Sequence, residues 1–184
     1  MHGANVHAKT STGSQAIHLA SRHQVAIEPI KILLGAEASL NSRNKVGHSL
    51  LSGAAICNYH KIIAFLLDNG ADMHVRSLHG DTPLFETIFP NSYESLEILL
   101  ERGDNPNNVN NTGSAIFHAA VLEADARTFE ILRALGIKWD QWSLRDRNGN
   151  TALEIARRRI NSTGGFLEVF EQLVSMTGYE KPLS

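Results

Sequence analysis

The sequence predicts an all-α solenoid built from five helix-turn-helix repeats with β-turn-like finger loops between them. Three observations carry that prediction. A glycine recurs at Gly13, Gly47, Gly80, Gly113 and Gly149, at separations of 34, 33, 33 and 36 residues. Each glycine opens a related phrase: GSQAIHLA, GHSLLSGA, GDTPLFET, GSAIFHAA and GNTALEIA. Each phrase begins a unit with two short helical patterns, neither long enough to be stable alone in water. Stacked units that supply each other's core are the architecture that reconciles short helices with a fixed period.

The elements follow in chain order. Residues 1–13 read as a partial leading loop. Unit one has its first helix in the phrase after Gly13 and its second in EPIKILL (28–34). Unit two repeats this with GHSLLSGAAICNY and KIIAFLLDNGAD (61–72). Unit three is the most complete. Residues 70–80 carry glycine, aspartate and polar residues without a helical period, which predicts a loop. Thr82 is a good N-cap and Pro83 suits the first helical position, with Leu84, Thr87 and Ile88 at helical spacing. Pro90, Asn91 and Ser92 interrupt. A second helix then puts Leu96, Leu99 and Leu100 on one face and Glu94, Glu97 and Glu101 on the other, and Gly103 ends it. Unit four has GSAIFHAA and FEILRALG (129–136). Unit five opens with GNTALEIA, passes a slack turn at 160–165, and predicts a last helix near 166–175 before a polar tail.

The period, the Thr82-Pro83-Leu84 phrase, the loops GANVHAK (3–9) and GADMHVR (70–76), and the repeated second-helix phrases together resemble the ankyrin-repeat family over essentially the whole chain. The departures are specific. The histidine expected after the leucine is present as His18 and His118 but replaced by Ser52, Phe85 and Glu154. The resemblance implies that those two histidines make structural hydrogen bonds near the start of the first helix. His7 and His74 stand where such loops carry asparagine, as Asn41 and Asn107 do, and are expected to brace the loops. Glu37 takes the place of a loop glycine and puts the first unit's C-cap in question. The fourth connection carries about three extra residues, in the run WDQWSLRDRNG. The chain begins inside a loop, from which a fragment of a longer array is expected.

The composition is that of a soluble globular chain, and 42% hydrophobic residues suffice for a continuous core. A net charge of −2 points to neither a nucleic-acid binder nor a polyanion mimic. The single cysteine, Cys57, forms no internal disulfide and fits a cytoplasmic or nuclear protein. No apolar run approaches the roughly 20 residues of a membrane span. No phosphate loop or nucleophile elbow is present, and the nine histidines include no pair at metal-ligand spacing. Neither cofactor nor metal is expected, and no catalytic constellation is recognisable.

The resemblance implies a partner surface made of the finger tips and the exposed sides of the first helices. Reading down its columns, Lys9, Arg43, Arg76, Val109 and Arg145 stand just before successive tips, with Lys45 and Arg147 at the tips. The first-helix column holds Arg22 and His23, then Ile56, Phe89, Glu123, and finally Arg158 and Arg159. His79 falls at a variable tip position and Trp142 in the long fourth connection. A stripe of arginines favours carboxylates or phosphates, so a phosphate-bearing partner is a further alternative; the same arginines can instead brace neighbouring loops. The leading expectation is a non-enzymatic, monomeric interaction module for another protein or peptide of acidic character, with Lys9, Arg22, His23, Arg43, Lys45, Arg76, His79, Trp142, Arg145 and Arg158 as contact residues. The alternative is a small-ligand or catalytic site on the same scaffold, using His23, His48 or His79. Nucleic acid is disfavoured because the basic stripe lacks interleaved aromatics.

Overall fold

The computed structural model describes residues 4–20, 27–123, 125–137 and 144–162. Nine helices lie among them: α1 (Ala16–Ala20), α2 (Ile27–Gly35), α3 (Leu50–Ile56), α4 (His60–Asp68), α5 (Pro83–Glu86), α6 (Tyr93–Glu101), α7 (Ile116–Glu123), α8 (Ala126–Ala134) and α9 (Ala152–Ser162). They alternate as first and second helices of the predicted units. First helix stacks on first helix (α1 on α3, α3 on α5, α5 on α7, α7 on α9) and second on second (α4 on α6, α6 on α8). The last predicted helix, near 166–175, lies outside the described residues, as do Arg22, His23 and Trp142.

Helix α5 is short for a local reason. In α5, Thr82 caps the start by accepting from the Phe85 amide at 3.3 Å. One turn later the Thr87 hydroxyl donates to the Leu84 carbonyl at 2.7 Å, and the Ile88 amide bonds back only three residues, to Phe85. The turn tightens, and Pro90 excludes further helix. The predicted helical pattern through Ile88 is thus realised as one α turn followed by tight turns.

The core is continuous through the stack. Ile17, Ile30, Leu50, Leu51, Ile63, Leu66, Leu84, Ile88, Leu96, Leu99, Phe117 and Phe129 are fully buried. Residues of one unit complete the enclosure of the next, so no single unit has a core of its own.

The periodic glycines have a geometric cause. Each finger tip donates one backbone N–H to the finger before it: Lys45 to Thr12 (3.0 Å), Leu78 to Val46 (2.9 Å), Asn111 to His79 (2.9 Å) and Arg147 to Thr112 (2.8 Å). That ladder brings adjacent backbones into direct contact at the glycine. At Gly80, φ is +81° and a Cβ would stand 2.5 Å from Asn111 Oδ1 and 2.6 Å from Asn111 N. Gly149 also has positive φ (+78°), but a Cβ there would meet nothing within 4 Å.

Glu37, which the sequence left as an uncertain cap, takes the left-handed conformation at φ +66°. The cap forms regardless. Ala38 N bonds Leu33 O at 2.9 Å, as Ala71 N bonds Leu66 O at 2.9 Å and Asp104 N bonds Leu99 O at 3.1 Å in the following units. No atom crowds the equivalent Gly70 and Gly103, so a side chain fits there and only backbone strain opposes it.

Two outcomes follow for thermal melts. Gly80→Ala carries both backbone strain and a backbone clash, and is expected to cost about 3 kcal/mol, whereas Gly149→Ala carries strain alone and costs about 1 kcal/mol. Equal costs would contradict the close-approach account. Glu37→Gly is expected to stabilise the chain by about 1 kcal/mol; an unchanged or lowered melting temperature would show that the left-handed cap is not strained.

Candidate interaction surface

The finger loops are built from one recurring turn. Three residues before each periodic glycine stands a short polar side chain: Thr10, Asn44, Ser77, Asn110 and Asp146. Asn44 Oδ1 accepts from the amides of Val46 and His48, both at 3.0 Å. Asn110 Oδ1 accepts from Thr112 and Ser114, Asp146 Oδ1 from Asn148 and Asn150, and Ser77 Oγ from His79 and Asp81. Such side chains mimic a backbone turn and fix it. The sequence contained this signal, a column of short acceptors at one register, and the prediction missed it.

The arginines one residue earlier are engaged with the backbone. Arg43 Nε donates to Gly47 O at 3.0 Å and its Nη2 to Arg76 O in the next finger. Arg76 Nη1 donates to Gly80 O at 2.9 Å and to Val109 O, again in the next finger, at 2.7 Å. Arg145 donates to Gly149 O and pairs with Glu154 Oε2 at 3.3 Å. Each guanidinium therefore ties its own finger to its glycine, and Arg43 and Arg76 also tie it to the following finger. Bracing of a neighbouring loop is physically realised at Arg43 and Arg76, while Arg145 braces its own finger.

The histidine register is a capping position. His18 Nδ1 accepts from the Gln15 amide at 3.1 Å and its Nε2 lies 3.0 Å from Ser42 O. His118 Nδ1 accepts from the Ala115 amide at 3.2 Å while its Nε2 lies 3.1 Å from Leu144 O and 3.3 Å from Asn150 O. An acceptor Nδ1 leaves Nε2–H to donate across the unit boundary, so both rings serve as neutral tautomers. Burial, foremost, lowers the His18 pKa and supports that state. Ser52 and Glu154 replace histidine without loss of the cap. Ser52 accepts from the Ser49 amide at 3.4 Å, and Glu154 from the Thr151 amide at 2.8 Å. Both are capping boxes. Of the loop histidines, His74 lies 3.8 Å from Asp104 of the next unit, and Asn41 accepts from the Asp72 amide at 2.9 Å.

Lys9, Arg43, Arg76 and Arg145 are exposed, and apolar side chains stand on the surface beside them. Val46 (48% exposed) and Leu78 (64%) stand at adjacent finger tips, and Phe89 (54%) and Leu122 (46%) at the ends of successive first helices. Phe89 is held by Phe85, ring centroids 6.0 Å apart. Registered on the capping residue, the column runs Ile56, Phe89, Leu122 and Arg158, each four residues on. Glu123, assigned to it from sequence, stands one residue past the register. Toward the two ends Lys9, Lys45, Arg147 and Arg158 are exposed and make no ion pair or side-chain hydrogen bond among the described residues. His79 is exposed at its tip. His48 is not available alone: its Nε2 lies 2.9 Å from Glu86 Oε1.

Between the first helices of units one and two is a cleft of about 40 Å³, lined by Ser14, His18, Asn44, His48, Ser49, Gly53, Ile56 and Cys57. It is far below the several hundred Å³ of a metabolite site. No group of three or more histidine, cysteine or acidic side chains among the described residues is placed to hold a metal, and no helix among them is long and apolar enough to cross a membrane.

Residues 1–77 match the family model for ankyrin repeats, in three copies. The repeats are ankyrin repeats. Their relatives include an ankyrin repeat protein of Acanthamoeba polyphaga mimivirus, 28% identical over 70% of this chain and 17% of its own length. The B-cell lymphoma 3 protein homolog of Mus musculus is 28% identical over 85% of this chain and 35% of its own. NF-kappa-B inhibitor alpha of Gallus gallus is 32% identical over 50% of this chain and 30% of its own. The ankyrin-repeat chain thus spans about a third or less of the length of each.

One ankyrin position is chemically odd. Asp104 occupies the register of the buried Ala38, and its side chain is fully buried. Oδ1 accepts from the Asn105 amide at 2.8 Å, but Oδ2 has no hydrogen-bond partner among the described residues. Desolvation, foremost, raises its pKa above 3.8, against the opposing influence of the Asn105 amide, His74 and Arg76. The folded state therefore binds this proton more readily than the unfolded chain does. Stability from this group is present below pH 3.8 and is lost as pH rises through the folded pKa. Asp104→Asn keeps the Oδ1 bond and removes the buried charge, so it is expected to raise the melting temperature at pH 7 and to bring little gain at pH 3.5. A lower melting temperature at pH 7 would show instead that the charge is stabilised by His74 and Arg76.

Proposed function

We propose that this chain is a protein-interaction module that receives a partner on the surface of finger tips and first helices. The observation that carries the reading is the apolar row Val46, Leu78, Phe89 and Leu122 on a braced scaffold. Singly exposed apolar residues are ordinary, but exposed side chains aligned on neighbouring repeats form the apolar centre of an interface. A preformed surface loses little conformational entropy on binding. Lys9, Lys45, Arg147 and Arg158, unpaired and placed at the ends of the row, favour a partner with carboxylates flanking its apolar anchors. NF-kappa-B inhibitor alpha is, by its name, a protein that inhibits NF-kappa-B, and the likeness of repeats supports action by binding. Arg43, Arg76 and Arg145 enter this reading chiefly as the braces that hold the surface, with their remaining N–H groups facing the partner.

The test separates surface from brace. Peptides are selected on the immobilised chain from a displayed library of random 12-residue sequences. Phe89→Ala is expected to weaken the selected peptides about tenfold or more with little change in melting temperature. Arg76→Glu is expected to lower the melting temperature, since it removes two charge-assisted bonds to carbonyls of adjacent fingers. Peptides that bind Phe89→Ala as tightly as the parent would overturn the assignment of the surface.

A further inference from the structure

The register of the brace has one apolar member. Four residues before each periodic glycine stand Lys9, Arg43, Arg76, Val109 and Arg145. Arg43 donates to the glycine carbonyl of its own finger, Gly47 O, and to Arg76 O in the next. Arg76 repeats this one unit on, where a single nitrogen, Nη1, reaches Gly80 O at 2.9 Å and Val109 O at 2.7 Å. The equivalent pair at the boundary of fingers four and five is Gly113 O and Arg145 O. Val109 has no side-chain donor to give them. Among the described residues neither oxygen accepts a hydrogen bond.

This pair is held as the two arginine-bound pairs are. Finger four closes its turn from Gly113 N to Asn110 O at 3.0 Å, as finger three does from Gly80 N to Ser77 O at 3.0 Å. Finger five hangs on finger four through Arg147 N to Thr112 O at 2.8 Å, as finger four hangs on finger three through Asn111 N to His79 O at 2.9 Å. The same turn and the same ladder step thus fix the two carbonyls. Val109 is 41% exposed, so the approach is open to solvent, and its methyl groups offer a surface to the aliphatic stem of a long side chain. Neighbouring cations do not forbid another. Arg43 and Arg76 already stand one finger apart in contact, and Arg145 is paired with Glu154.

The chain itself shows which cation suits such a pair. Lys9 holds this register in finger one, ahead of Gly13 O and Arg43 O, and bonds to neither. A guanidinium is a planar fork of five donors with weak hydration, and it spans two carbonyls that the compact, strongly hydrated ammonium of Lys9 does not.

Resting on the interaction-module reading, we propose that Gly113 O and Arg145 O form a guanidinium site on the finger surface, filled by an arginine of the peptide or protein partner. That arginine lies over Val109 and supplies from the partner the link that Arg43 and Arg76 supply from within the chain. The site belongs to finger four, inside the span between Lys9 and Arg147. The partner therefore carries an arginine within a segment whose ends carry carboxylates.

The probes are the 12-residue peptides selected on the parent chain from the displayed library. They are expected to share an arginine whose change to lysine weakens binding about tenfold. Val109→Arg fills the site from within the chain. It is expected to raise the melting temperature by adding charge-assisted bonds to two carbonyls, and to weaken the peptides about tenfold. Against Val109→Arg the arginine-to-lysine change in the peptide is then expected to cost little, because the two changes remove one and the same interaction. Val109→Ala leaves the site open and is expected to bind the peptides nearly as the parent does. A melting temperature that Val109→Arg leaves unchanged or lowers overturns the placement of the two carbonyls. Peptides that bind Val109→Arg as tightly as the parent, yet lose affinity for Phe89→Ala, overturn the site and leave the module reading standing. Peptides indifferent to both substitutions overturn both. A shared lysine, or no shared cation, overturns the guanidinium assignment.

Discussion

The structure depends on one close contact, repeated at each unit boundary. The backbone N–H of one finger tip reaches the carbonyl of the finger before it at 2.8–3.0 Å. Two chains that near leave no room for a Cβ on the inner side of the turn, and the turn itself requires positive φ. Glycine at a fixed period follows from those two demands acting together. The arginine braces follow in turn, because a finger fixed at its glycine exposes that glycine's carbonyl to a guanidinium four residues earlier. Gly149 gives the converse case. It retains the turn but, with no described finger packed against it, has none of the crowding.

A second regularity concerns function conserved through changing chemistry. The amide three residues before the histidine register needs an acceptor at the start of each first helix. An imidazole nitrogen, a serine hydroxyl and a carboxylate all supply one, at 3.1, 3.4 and 2.8 Å. What histidine adds is a second nitrogen for a carbonyl across the unit boundary. The units with Ser52 and Glu154 do without that link, and Phe85 does without the return bond altogether. Departures from a repeat consensus therefore need not be functional. Each has to be compared with the physical task of its register.

That distinction explains what was legible in the sequence. The period, the five units and the break at Pro90 depend on backbone geometry, which glycine and proline announce directly. Side-chain destination is a different matter. Arg43 and Arg76 look alike whether they face solvent or a carbonyl one finger away, and only the folded contacts to Arg76 O and Val109 O decide. Leu122 was displaced by Glu123 in the sequence columns because a one-residue slip in a short helix goes unnoticed without a fixed reference such as the cap. The turn acceptors Asn44, Asn110 and Asp146 were legible but were obscured by the arginines beside them.

The candidate surface then has a physical logic that charge counting does not give. A guanidinium bonded to the carbonyls of two fingers stiffens the fingers and has fewer N–H groups left for a partner. Stiffening is what allows Val46 and Leu78 to stand exposed at the tips without collapsing onto their neighbours. Of the cations on this surface, Lys9, Lys45, Arg147 and Arg158 are unpaired among the described residues and lie toward the ends of the stack, where, on the proposed reading, they orient a partner without desolvation at the centre. Buried interfacial charge contributes little net affinity against a hydrophobic equivalent, whereas peripheral charge sets approach and register. On the proposed reading, an apolar centre on arginine-braced fingers, with lysines and arginines at its margins, divides affinity from orientation between two sets of residues. The glycine ladder is what keeps both sets in register.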